Sequence, residues 1–171
     1  MKRIHLILLS AIALTVVLAS CNKEVHYNNA EEMVAEAQKK IQEIKPEEFK
    51  AMMDSGAYYL LIDVRTSSEH NHGFIPGSVN IPRGSLEFKI NDEKFWEDAF
   101  LYPPEKNDLI IVYCKKGHRG TLSAETLGKL GFTNVKNLEG GWKNWELTYP
   151  LIYDKNLEAE GGHQAAESGG C

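Results

Sequence analysis

The stretch Leu109 to Leu130, LIIVYCKKGHRGTLSAETLGKL, decides the fold. Leu109-Ile110-Ile111-Val112-Tyr113 is a short apolar run rich in β-branched residues, the pattern of a buried strand. Cys114 stands where that run stops. Lys115-Lys116-Gly117-His118-Arg119-Gly120 is too polar and too glycine-rich to continue a strand. Thr121 to Leu130 reads as a helix with Leu122, Leu127 and Leu130 on one side and Gly131 as its stop. A thiol is therefore expected in a strand-to-helix loop facing a helix N-terminus. Free backbone N–H groups and the positive dipole end favour an anion there. Two lysines, an arginine and a histidine add to that field. These surroundings favour the thiolate form of a cysteine, and a thiolate attacks without a separate base.

The chain has 171 residues and a net charge of −5. Setting aside a targeting segment leaves about 150 residues, enough for one domain with its own core. The acidic balance argues against nucleic acid as a partner. It also makes the basic loop a local exception that points to an anionic substrate. Three cysteines are too few for a disulfide scaffold and none lies in a C-x-x-C pair, so zinc is not expected, and no other metal or cofactor is called for. His70 and His72 have no cysteine or carboxylate partner at a metal-ligand spacing and read as solvated loop histidines.

Outward from the central stretch, Tyr58 to Asp63 is a strand that ends in Asp63-Val64-Arg65, with Glu69 four residues on. Taken alone, Asp63 and Arg65 read as a surface ion pair of little worth. Gly73-Phe74-Ile75-Pro76-Gly77-Ser78-Val79-Asn80-Ile81-Pro82 follows. Downstream, Val135 to Leu138 is a short strand leading into Glu139-Gly140-Gly141-Trp142, with Trp145 at helical spacing. Pro46-Glu47-Glu48 opens a helix that stops at Gly56. Asp92 to Phe100 reads as a helix packed by Phe95, Trp96 and Phe100, an aromatic lid over the site being the alternative. Asn28 to Glu43 is rich in Ala, Glu, Lys and Gln, with Met33, Ala37, Ile41 and Ile44 at helical spacing. It reads as a helix that packs on the domain or spaces it from a membrane.

The C-x-x-G-x-R of Cys114 to Arg119 resembles the active-site loop of the rhodanese sulfurtransferases. The D-V-R of residues 63–65 with Glu69, the G-F-I-P-G-S-V-N-I-P of residues 73–82 and the E-G-G-W of residues 139–142 resemble further segments of that family, in the same order. The resemblance covers roughly Ile44 to Pro150. Phe74 stands where the family usually has histidine. The resemblance implies an α/β fold: a single rhodanese-like domain with a mostly parallel sheet of about five strands flanked by helices on both faces. It implies Cys114 as the catalytic residue, the loop residues Lys115, Lys116, Gly117, His118, Arg119 and Gly120 as the substrate cradle, and Asp63 with Arg65 as a brace for nearby loops.

In that reading the Cys114 thiolate attacks the outer sulfur of a small anionic donor such as thiosulfate, sulfite leaves, and Cys114 holds a persulfide. A thiol or cyanide then accepts the sulfur. Backbone N–H groups of the loop point inward as a nest, with Gly117 in the left-handed conformation. Lys115 and Lys116 draw in the donor, Arg119 braces the loop through its planar fork, and His118 points to solvent. Four residues separate Cys114 from Arg119. Cysteine phosphatases use five, a wider cradle, so the spacing favours sulfur over phosphate. Two other readings stay open: a non-enzymatic module that carries or senses sulfur or binds a partner, and a thiol redox protein using Cys114 and Cys171.

The ends carry their own signals. Met1 to Ser20 has a charged start, an apolar run from Ile4 to Val17 and small residues before Cys21, the pattern of a secretory signal. Leu18-Ala19-Ser20-Cys21 resembles a bacterial lipobox, which implies export and a lipid on Cys21. An uncleaved membrane anchor, or a plain signal with a chance cysteine, is the alternative. Two or more fatty chains anchor a protein stably, and Asn22 in place of Asp favours the outer membrane. The expected organisation is a signal peptide over 1–20, a lipidated linker and helix over 21–43, the domain over 44–153 and a disordered tail over 154–171.

Overall fold

The computed structural model describes residues 25–157. The expected signal peptide, Cys21, and residues 158–171 of the tail expected over 154–171, Cys171 among them, lie outside the described residues.

Five strands form one parallel sheet: β1 (Gln42–Ile44), β2 (Leu60–Asp63), β3 (Val79–Asn80), β4 (Ile110–Tyr113) and β5 (Val135–Leu138). Their spatial order is β1-β5-β4-β2-β3. Strand β4 is central and all four of its residues are buried. A strand buried on both faces has no polar side to show, which is why its sequence is a continuous apolar run rather than an alternation. Side chains on a strand still alternate between faces. Ile110, Val112 and Cys114 join Ile62, Val64, Ile81, Leu86, Ile90, Trp96, Ala124 and Leu127 in one core cluster. Ile111 and Tyr113 join Ile44, Phe49, Leu61, Ile75, Leu138, Trp142 and Trp145 in the other.

Helices cover both faces. On the first lie α4 (Leu86–Lys89), α5 (Glu93–Asp98) and α6 (His118–Lys129); on the second lie α2 (Pro46–Ser55) and α7 (Gly141–Thr148). A further helix, α1 (Ala30–Gln38), sets Val34 and Ala37 against Leu122 of α6, and α3 (Ser67–Asn71) follows β2.

Three elements differ from the sequence reading. The helix expected over Asn28 to Glu43 ends at Gln38, and Gln42–Ile44 pairs with β5, Ile44 opposite Leu138. Helix-forming residues carry α1, but beyond it burial of Ile44 and the unpaired backbone groups of β5 outweigh local propensity. Helix α6 starts at His118, three residues before the expected start, because the chain reverses at Gly117 rather than after Gly120. Leu130 lies at the end of α6 and is exposed. The aromatic segment splits: Trp96 is fully buried and its Nε1–H donates to Ile90 O at 3.0 Å, whereas Phe100 is 96 % exposed. Trp96 is a core residue and not a lid.

The central strand yields a stability prediction. Ile111 is fully buried, so Ile111→Ala should cost about 2–5 kcal/mol of unfolding free energy in urea titrations, the usual price of a cavity at such a site. A loss well under about 1 kcal/mol would place Ile111 outside a packed core.

Candidate active site

Cys114 follows the last residue of β4 at the C-terminal rim of the sheet, the edge where parallel α/β folds build their sites. It is a free cysteine, 2 % exposed. The chain then turns at Gly117, whose φ of 98° is one that side-chain-bearing residues rarely adopt. Thr121 N–H donates to Gly117 O at 2.8 Å and closes the first turn of α6. His118, Arg119 and Gly120 therefore belong to the helix and not to the loop. Lys115, Lys116 and His118 are exposed, Arg119 is half-buried, and Gly117 and Gly120 are buried. Cys114, Lys115, Lys116, His118 and Arg119 line one open depression.

The loop is clamped from outside. Trp142 N–H donates to Cys114 O at 2.7 Å and Lys143 N–H donates to Lys115 O at 3.0 Å. The first N–H groups of α7, which lack partners within their own helix, thus hold the first two carbonyls of the loop. Gly141 makes this approach possible: its φ is 60°, and a Cβ there would collide with the Cys114 carbonyl.

Arg119 reaches back to α3. Its Nη1 donates to Glu69 Oε2 at 2.7 Å and its Nη2 to Glu69 Oε1 at 2.8 Å. Glu69 is itself fixed by a capping box with Thr66 at the start of α3. The Arg119 hydrogen bonds, with a smaller contribution from the Thr66 backbone, outweigh partial burial and hold the Glu69 carboxyl at about 2. Glu69 in turn holds the Arg119 guanidinium above its ordinary value, and the neighbouring Cys114 sulfur acts in the same direction.

Below this rim lies a second ion pair, fully buried. Arg65 Nε donates to both Asp63 oxygens at 2.9 Å, and Arg65 Nη2 donates to Asp63 Oδ2 at 2.6 Å and to Gly73 O at 2.7 Å. The Arg65 guanidinium sits 4.8 Å from the Trp142 ring centre and 5.4 Å from that of Tyr113. Burial pushes the Asp63 carboxyl up, but hydrogen bonds from His70 and Arg65 and the Arg65 charge outweigh it and hold it below its ordinary value. Burial and the Asp63 charge hold the Tyr113 hydroxyl well above its ordinary range, so it stays protonated. That hydroxyl accepts from Ile75 N–H at 3.2 Å and lies 3.0 Å from Ser78 Oγ.

One sequence reading is decided here and one changes. Asp63 and Arg65 are the brace and not the alternative surface pair; they are 0 % and 2 % exposed. His70 is not a solvated loop histidine: its Nδ1 lies 2.9 Å from Asp63 Oδ2 and its ring stacks on Phe74 at 4.1 Å. Three residues went unmarked in the sequence as parts of this apparatus. Tyr113 and Trp142 read as core, and only the fold brings them to Arg65. Asn137 on β5 is fully buried and donates to Thr121 Oγ1 at 3.2 Å, tying the sheet to the first turns of α6. A polar residue in a predicted strand is the one signal that marks it. Among the described residues, no group of three or more His, Cys, Asp or Glu side chains is placed to hold a metal ion.

A family model described as the Rhodanese-like domain matches residues 45–148. The human thiosulfate:glutathione sulfurtransferase is 33 % identical over 102 residues, 57 % of this chain and 87 % of that protein. A mitochondrial protein of Schizosaccharomyces pombe is 39 % identical over 88 residues, 50 % of this chain; the chain spans 62 % of that relative's length. Among solved structures, a Rhodopseudomonas palustris protein described as of unknown function and a possible tyrosine phosphatase superposes with a TM-score of 0.62 at 27 % identity, covering 75 % of this chain and 96 % of its own.

Both ion pairs lead to measurable expectations. Arg65→Met leaves Asp63 buried without its cation and should cost about 3–5 kcal/mol in urea unfolding; a neutral change would mean that Asp63 is solvated. For Glu69 the folded-state pKa is depressed, so its stabilisation is present above the ordinary value of 4.5 and is lost as pH falls through about 2. The stability gap between the wild type and Glu69→Gln should be level above pH 5 and close as the pH drops through that window. A gap that does not vary with pH would show that the carboxylate charge is not what Arg119 holds.

Proposed function

The chain belongs to the rhodanese-like domain family, whose members include the thiosulfate:glutathione sulfurtransferase, and on that footing we propose that it is a sulfurtransferase working through a persulfide on Cys114. The observation that carries the reading is the placement of one free thiol at the end of the central strand, under a depression lined by Lys115, Lys116, His118 and Arg119. Such a depression suits a small dianion carrying sulfane sulfur, thiosulfate being the simplest.

The chemistry balances with the residues at hand. The Cys114 thiolate attacks the outer sulfur of thiosulfate; the S–S bond of the donor breaks and its electron pair leaves with sulfite. Cys114 then bears a persulfide. A thiolate or cyanide attacks the outer persulfide sulfur and returns Cys114 to its starting state. A neighbouring depression lined by Arg65, Ser68, Glu69, His72, Lys115 and Trp142 gives the acceptor a second approach along the same rim. Arg119 is committed to Glu69 and serves as a brace, which leaves Lys115 and Lys116 as the charges that meet the donor. The four residues between Cys114 and Arg119 favour this reading over phosphate-ester hydrolysis, which needs a wider ring. In the same reading, residues 1–20 direct export and Cys21 takes the lipid that holds the domain at a bacterial membrane facing the periplasm.

The purified protein should catalyse thiosulfate-to-cyanide sulfur transfer, and its intact mass after thiosulfate alone should rise by about 32 Da, one sulfur atom on the covalent intermediate. Cys114→Ser should abolish both signals while leaving the fold intact. An adduct without turnover would favour a sulfur carrier that awaits its own acceptor. Neither signal from folded, reduced protein would end the thiosulfate proposal.

A further inference from the structure

Arg83 differs from the other arginines of the rim. Arg65 is paired with Asp63 and Arg119 with Glu69. Among the described residues Arg83 has no side-chain partner, although its Nε is buried. The residue as a whole is only half-buried, so the rest of its guanidinium is open to a ligand that brings acceptors to a charge no acid of the chain has claimed.

Its position says which ligand. Arg83 opens a short 3₁₀ turn, Arg83–Ser85, beyond the C-terminal end of β3. Arg83 N–H donates to Val64 O at 3.1 Å, and Val64 N–H donates to Tyr113 O, one residue before Cys114, at 2.9 Å. Two strand spacings therefore separate the Arg83 backbone from that of Cys114, about 10 Å at ~4.8 Å each. The face is also the same one. Cys114, Val64, Ile81 and Leu86 share one core cluster, so the turn that carries Arg83 packs on the side of the sheet where the Cys114 side chain lies. An extended arginine is long enough to span most of that gap, and Arg83 stands on the β3 side of Cys114 to do so.

We infer that Arg83 is a donor-binding residue whose guanidinium takes the sulfonate oxygens of thiosulfate while the outer sulfur faces Cys114 Sγ. The inference rests on the sulfurtransferase reading. It assigns the two ends of the donor to different groups: the sulfane sulfur to the thiol loop, the sulfonate to Arg83. The planar fork of arginine matches two sulfonate oxygens at once. When the S–S bond breaks, the electron pair leaves on sulfite, so the negative charge that develops on the leaving group falls beside Arg83.

The test compares wild type, Arg83→Met and Arg83→Lys in the full chain. Arg83→Met should raise KM for thiosulfate about tenfold, the loss expected of a charged hydrogen bond, with Arg83→Lys recovering part of it. Discharge of a preloaded persulfide to cyanide should proceed at the wild-type rate, which a general disturbance of the fold would not allow. In a second arm, calorimetry measures thiosulfate binding to Cys114→Ser and to Cys114→Ser with Arg83→Met, where no turnover occurs; the added substitution should weaken binding by a similar factor. Unchanged KM and unchanged binding in the Met variants would overturn the role of Arg83. A wild type that takes no sulfur from thiosulfate would fail the underlying reading instead, and the calorimetric arm would still decide whether Arg83 holds the anion.

Discussion

The buried pair of Asp63 and Arg65 is the constraint on which the rest of the site depends. Removing two full charges from water is costly, and mutual attraction repays it only when the geometry is good and the remaining donors and acceptors are used. Here they are used by different parts of the chain. Asp63 takes hydrogen bonds from Arg65 and His70. Arg65 gives its outer nitrogen to Gly73 O and its flat faces to Trp142 and Tyr113. One side chain thus joins the end of β2, the loop before β3, the end of β4 and the start of α7. A lysine has neither the fork nor the flat faces to make those contacts.

That junction explains why motifs scattered over the sequence act as a unit. D-V-R supplies the ion pair, the glycine-rich segment from Gly73 supplies a carbonyl to it, and E-G-G-W supplies the ring above it. Trp142 also donates its backbone N–H to Cys114 O, so the residue that covers Arg65 is the residue that holds the loop. Glu69, four residues beyond Arg65, makes the second connection by gripping Arg119. The loop is therefore fixed at its first carbonyls and at its far end, by groups that are themselves fixed.

Strands β2, β4 and β5 and helix α6 were legible because they follow local rules: a buried apolar run, a glycine reversal, a helix stop. Strands β1 and β3 were not, since Gln42–Ile44 and Val79–Asn80 are too short for a strand signature of their own and are ordered by pairing with β5 and β2. The thiol, its basic neighbours and the bracing role of Arg119 were visible from residue types and spacing. The roles of Tyr113 and Asn137 were not, because each depends on a partner far away in sequence; that of His70 was not, because burial of the neighbouring Asp63 reverses the meaning of a polar residue. Asp63 and Arg65 show this most sharply: the same two residue types make a weak pair in water and an organising centre once buried.

Rigidity and charge are divided between separate residues at this site. Groups that preset an active site contribute most when they need no reorganisation as charge moves, and Arg119 beside Cys114 and Arg65 beside Tyr113 and Trp142 are both already committed to carboxylates. Their charges are largely neutralised, so they shape the cradle without dominating its field. In the proposed reading the attraction for a dianion falls to Lys115, Lys116 and Arg83, none of which is paired with an acid in the described structure. On that reading a rim braced by paired arginines keeps its form when the ligand leaves, while unpaired cations at its edge bind and release. With Cys114 itself 2 % exposed, the proposed chemistry calls for a slender anion, because packing leaves little room at the sulfur for a bulky reagent.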